Sequence, residues 1–94
     1  MNTVIVTRHQ TLVQHLVETG VAPNDAQVVD HATPENVAGA HVIGVLPIHL
    51  AALAARYTNV ALHTPPELRG VELTLEQVRL YAQPPVSYEV RIVE

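Results

Sequence analysis

The chain contains no cysteine, no lysine, no tryptophan and no phenylalanine, and its one serine is Ser87. Without cysteine there are no disulfides, thiolate metal sites or cysteine nucleophiles. Ser87 is not set in a G-x-S-x-G turn, so a serine hydrolase is a poor fit. Five arginines carry all the side-chain positive charge against nine acids, for a net charge of −4. That balance argues against a surface that coats long nucleic acid. It permits one small anionic ligand held by directed arginine contacts. Compositional drift toward arginine accounts for the same count equally well.

Long apolar runs are also absent. The most apolar stretch, Val42 to Ala55, is interrupted by Gly44, Pro47 and His49, short of the roughly 18 residues that a spanning helix needs. The opening Met-Asn-Thr-Val is not a basic segment followed by an apolar one, so no secretory signal is expected and a cytoplasmic location is. The chain is nonetheless 48% hydrophobic over 94 residues, which excludes disorder and suits one domain, residues 1–94. Its only aromatics are three tyrosines, so the core must be built from Val, Leu, Ile and Ala. A domain of this size buries only about 60–65% of its unfolded surface. Part of the remaining apolar surface is expected to meet a second copy of the chain.

Strands and helices alternate along the sequence. The β-branched run Thr3–Thr7 predicts a buried strand. Leu12, Val13, Leu16 and Val17 predict a helix over 11–19, stopped by Gly20. A second strand is expected at Gln27–Asp30. Thr33-Pro34 then caps one turn of helix, which Gly39 ends. A third strand is expected at His41–Val45, a helix from Pro47 to about Tyr57, and a fourth strand at Val60–Leu62. Thr74 caps a helix to about Ala82. Tyr88, Val90 and Ile92 alternate with Glu89 and Arg91 in a last strand over 87–93, placed at a sheet edge with one wet face. The whole predicts a Rossmann-like three-layer α/β sandwich with a mostly parallel sheet.

Ligands of such sheets bind beyond the carboxyl ends of the strands. Arg8 and His9 follow the first strand, His31 the second, Leu46 to His49 the third, and His63, Thr64 and Arg69 the fourth. The helix beginning at Pro47 has no side-chain cap, so the amides of Ile48, His49 and Leu50 are candidates for a phosphate, with water or a nearby carbonyl as the plainer partner. No G-x-G-x-x-G and no G-x-x-x-x-G-K-[ST] occurs, which disfavours ordinary dinucleotide or ATP binding. No histidine cluster has metal-site spacing, so neither a metal nor an organic cofactor is expected. What remains is acid–base and electrostatic chemistry by histidine and arginine. The helix from Ile48 is apolar nearly all round, which suggests cover by a partner subunit. A twofold dimer would then set two rims side by side around one ligand.

Three segments carry a family resemblance: Thr7-Arg8-His9, Gly44-Val45-Leu46-Pro47-Ile48-His49-Leu50-Ala51-Ala52, and Arg69-Gly70-Val71-Glu72-Leu73. In that order and spacing they resemble a small family of CRISPR-associated proteins of type III systems. This chain departs from the usual family pattern at Gln10, Thr11 and His15, and Val45 stands where threonine is commoner. The resemblance implies a fold related to the CARF sensor domains, a homodimer, and a cyclic oligoadenylate ligand, most simply the tetraadenylate ring. It further implies ring-nuclease activity, which cuts the messenger and switches off antiviral signalling.

On this reading Arg8, His9 and His49 are the expected catalytic residues, with Thr7, Leu46, Pro47, Ile48 and Arg69 binding substrate. A ribose 2′-OH attacks the adjacent phosphorus, so no metal is required. His9 or His49 moves the proton, and Arg69 clamps the ring. A binding protein that sequesters the messenger without cutting it needs the same phosphate-holding residues. A structural subunit that binds no nucleotide is the third possibility.

Overall fold

The structure is a computed structural model and describes residues 2–93; the first and last residues of the expected 1–94 domain lie outside that range. The β-branched segments fold as anticipated into β1 (Thr3–Val6), β2 (Gln27–Val29) and β3 (His41–Gly44), which pair parallel around a central β1. A fourth parallel strand, β4 (Arg56–Asn59), joins β3, and β5 (Val86–Tyr88) pairs antiparallel with β4 at the edge. The sheet order is β2-β1-β3-β4-β5.

Side-chain alternation along the strands divides the core in two. On one face α1 (Gln10–Glu18) and α4 (Leu75–Tyr81) cover Ile5 and Ile43 with Leu12, Leu16 and Val78. On the other, α2 (Pro34–Val37) and α3 (Ile48–Ala51) cover Val4, Val42 and Tyr57 with Val37, Leu50 and Ala51. Adjacent strand residues thus serve opposite cores. The three-layer sandwich expected from the sequence is the fold observed. Both predicted caps form as full capping boxes, Thr33 with Asn36 and Thr74 with Gln77, each satisfying two backbone donors.

Two expectations fail in one region. The helix placed from Pro47 to Tyr57 ends at Ala51, and the fourth strand lies at 56–59 in place of 60–62. The alanine-rich run has high helix propensity, but tertiary bonding overrides it. The Ala55 amide donates to the Ala40 carbonyl at 2.9 Å, and Gly39 donates to Leu53 at 3.0 Å. These bonds draw the chain onto the sheet, where Tyr57 and Thr58 suit a strand. Segment 60–62 forms no strand: it contributes an isolated Leu62–Ala82 bridge and the Val60 amide, which donates to the Gly44 carbonyl at 3.1 Å. The short α3 buries Leu50 and Ala51 but leaves Ile48 73% exposed. The last strand is shorter than expected, 86–88 against 87–93, although its edge position holds.

Candidate functional site

β1 leads into α1 on one face of the sheet, and the neighbouring β3 leads into α3 on the other. The two loops diverge above the β1/β3 boundary and open a crevice there, as expected at a strand-order switch point. Gly44 makes the approach possible. Its φ is +140°, and a Cβ added there would lie 2.5 Å from the Val6 carbonyl oxygen. Only glycine fits that conformation and that contact.

Behind the crevice, the buried Tyr57 hydroxyl fixes the β3–α3 loop. It accepts from the Leu46 amide at 3.0 Å and from Asn59 Nδ2 at 2.6 Å, and it donates to the Gly44 carbonyl at 3.3 Å. One donor and two acceptor positions are all the hydroxyl has. Leu46 is therefore a core residue whose amide is already engaged.

The β1–α1 loop carries Thr7, Arg8 and His9. The Thr7 amide donates to the Val29 carbonyl at 2.9 Å, tying the loop to the end of β2. Thr7 Oγ1 accepts from the His9 amide at 3.1 Å, a local turn that short hydroxyl side chains favour. His9 occupies the N-cap position of α1, where its carbonyl accepts from Leu12 at 3.1 Å. Arg8 is exposed, and its Nη2 lies 3.2 Å from His31 Nε2. A guanidinium only donates, so His31 accepts at Nε2 and, when neutral, carries its proton on Nδ1. The contact joins the ends of β1 and β2.

Three clefts converge on this loop. The first, of about 700 Å³, runs between Thr7, Arg8, Gln10, Val28, Asp30 and His31. The second, of about 500 Å³, lies between Arg8, His9 and Gly70 to Glu72. The third, of about 250 Å³, is the crevice itself, bordered by Thr7, His9, Gly44 and Val45. Arg8 is common to the first and second, His9 to the second and third, and Thr7 to the first and third. The side chains form a crest with a cation and a titratable imidazole facing open, partly polar space.

The structure brings together some of the expected residues and separates others. Thr7, Arg8 and His9 form the crest. Pro47, the N-cap of α3, and Ile48 and His49 on that helix are exposed and line none of the three clefts; neither does Arg69, although Gly70, Val71 and Glu72 beside it do. Of the three α3 amides expected to be free, Leu50 is not, because it donates to the Pro47 carbonyl at 3.1 Å. The amides of Ile48 and His49 donate to no group among the described residues. With four residues, the helix adds little macrodipole to those two amides.

Sequence reasoning did not select Glu72, Asp30 or Gln10, which border the clefts, and it placed His31 at the rim without giving it the contact with Arg8. For His31 a signal existed in its place just past β2. For Glu72 it lay inside the Arg69–Leu73 segment. No group of three or more metal-ligating side chains occurs among the described residues, and no helix of those residues is long and apolar enough to cross a membrane.

A family model described as "Putative CRISPR-associated protein (Cas_VVA1548)" matches residues 4–91. The chain belongs to this family. The match takes in the crest, the Gly44 crevice and the Arg69–Leu73 segment alike. No curated protein and no solved structure matches the chain.

Proposed function

We propose that this CRISPR-associated protein is a metal-independent ring nuclease that binds and cuts a cyclic oligoadenylate, with the tetraadenylate ring the first candidate. The observation that carries the reading is the crest: Arg8 and His9 stand side by side at the carboxyl end of β1 where three clefts meet. A backbone of alternating phosphates and sugars can cross such a crest with a phosphodiester over Arg8 and its flanking nucleosides in the clefts on either side. The resemblance of the three motif segments to type III ring nucleases supplies the ligand class.

The reaction needs a base for a ribose 2′-OH, charge stabilisation at phosphorus, and an acid for the departing 5′-oxygen. The 2′-oxygen forms a bond to the adjacent phosphorus as the P–O5′ bond breaks. The products carry a 2′,3′-cyclic phosphate and a 5′-hydroxyl. Nucleophile and electrophile belong to the same nucleotide, so holding them in line provides much of the rate. Arg8 meets the charge that grows on the phosphoryl oxygens with a planar fork of donors. His31 steadies that fork by accepting from Nη2. His9, whose amide is pinned by Thr7, is the proton-transfer group at the crest. His49 and Arg69 serve substrate only if the ring reaches beyond the three clefts.

Incubation with cyclic tetraadenylate in excess EDTA, with products resolved by mass, tests the reading. Linear products ending in 2′,3′-cyclic phosphate support it. An intact ring that nevertheless binds tightly supports the sequestering protein. A ring that neither binds nor raises the melting temperature eliminates both.

A further inference from the structure

Cleavage at the crest needs two proton-transfer groups, and His9 is one. In an in-line displacement the attacking and leaving oxygens lie on opposite sides of phosphorus. A group on one wall of a cleft therefore reaches one of them and not both. The cleft of about 500 Å³ has Arg8 and His9 on one wall and Gly70, Val71 and Glu72 on the other. Glu72 is the one carboxylate among the described residues that line it.

Glu72 is exposed and forms no ion pair among the described residues, whereas Glu18 pairs with Arg79 and Glu89 with Arg91. Arg8 borders the same cleft, yet its guanidinium contact is with His31 at 3.2 Å. A carboxylate paired with Arg8 would neutralise the charge meant for phosphate. Here the two are kept apart, and each is left free for substrate. The wall that carries Glu72 is anchored. Leu73 is 2% exposed in the core with Leu12 and Val78, and Thr74 opens the capping box of α4. The Leu73 carbonyl accepts from Thr11 Oγ1 at 2.9 Å. Thr11 stands two residues after His9 and Leu73 one after Glu72, so this bond ties the two walls together.

We infer that Glu72 is the general base of the cleavage and His9 its acid, a division that rests on the ring-nuclease reading and deepens it. An ionised carboxylate only accepts, whereas a protonated imidazole donates from both nitrogens. A carboxylate oxygen of Glu72 takes the 2′-OH proton as O2′ bonds to phosphorus. The P–O5′ bond breaks, and the departing O5′ takes a proton from the His9 imidazolium. Arg8 meets the charge on the non-bridging oxygens. Glu72 then returns its proton to water and His9 regains one. A carboxylate close to a phosphate repels it, so removing that charge should cost turnover and not affinity.

Single-turnover cleavage of two rings tests the division: cyclic tetraadenylate, and the same ring with sulfur in place of each O5′. A thiolate leaves without a proton, so the second ring has no need of the acid. Glu72→Gln should lower the rate by about 10²–10⁴ on both rings. His9→Ala should lose as much on the oxygen ring but come within about tenfold of wild type on the sulfur ring. A ring methylated at every 2′-oxygen, which has no nucleophile, should bind Glu72→Gln at least as tightly as wild type. A wild-type rate in Glu72→Gln, a Glu72→Gln loss that sulfur relieves, a His9→Ala loss that sulfur does not relieve, or weakened binding of the methylated ring by Glu72→Gln would each overturn the inference while the ring-nuclease reading stands. A wild type that cuts neither ring overturns both.

Discussion

The Tyr57 hydroxyl offers the sharpest test of how the fold builds the crevice. In Tyr57→Phe the ring remains, and the packing against Val42 and Tyr88 is retained. The buried Leu46 amide loses its acceptor at 3.0 Å, and the Gly44 carbonyl loses its donor at 3.3 Å. Leaving a buried polar group unpaired costs about 1–3 kcal/mol. The Leu46 amide alone sets that range, since the Gly44 carbonyl also accepts from the Val60 amide at 3.1 Å and is not left bare. For a domain of this size each kcal/mol lowers the melting temperature by roughly 4–8 °C. Urea unfolding of both proteins should show a lower midpoint with an unchanged slope, because the surface exposed on unfolding is the same. The crevice beside His9 should loosen as well, so ring turnover should fall more than the loss of folded protein accounts for at a temperature where both chains are folded. A midpoint equal to wild type would refute the reasoning, since it would mean that the hydroxyl satisfies no buried group.

Other substitutions probe separate links. Gly44→Ala forces a side chain into a positive-φ position against the Val6 carbonyl; strain alone costs about 1–3 kcal/mol, and thermal unfolding should register at least that loss. His41→Gln tests a pH term. Burial, and secondarily the Arg56 charge, hold the His41 imidazole below its ordinary value of 6.5. The unfolded chain therefore takes up the proton first as pH falls below 6.5. The stability that neutral His41 contributes is complete above that pH and is lost as pH drops through the folded value. Wild-type stability should fall more steeply than that of the variant between pH 7 and 5, and parallel curves would remove His41 as the cause. His31→Ala should raise KM for the ring by releasing the Arg8 fork, whereas His31→Gln, which keeps an acceptor, should restore much of the affinity; equal KM values in all three proteins would separate His31 from the site.

Much of the architecture was legible because its signals are local. Strand runs, capping residues and the alternation at residues 88–92 each report their own few residues. The Ala51–Arg56 boundary was not legible, because it is decided by Ala40 and Gly39 reaching across from the β3 side of the sheet. The site divides in the same way. Arg8 and His9 were singled out because a strand end is visible in sequence and the rim rule places ligands there, whereas Thr7 entered only through the motif resemblance. The grouping of Glu72 with Arg8, and the Tyr57 hydroxyl behind Gly44, depend on contacts between segments far apart in the chain. His49 shows the converse: a motif neighbour of Gly44 in sequence, it turns onto α3 outside the crevice that Gly44 borders.

Single-turnover cleavage of cyclic tetraadenylate in EDTA, measured for wild type, Arg8→Ala, His9→Ala and His49→Ala after folding is verified, bears most directly on the central claim. Rates reduced by about 10²–10⁴ in His9→Ala, the usual worth of a proton-transfer group, a comparable loss in Arg8→Ala, and a small change in His49→Ala are the predicted result. Wild-type rates in Arg8→Ala and His9→Ala would contradict it and place the chemistry elsewhere on the molecule.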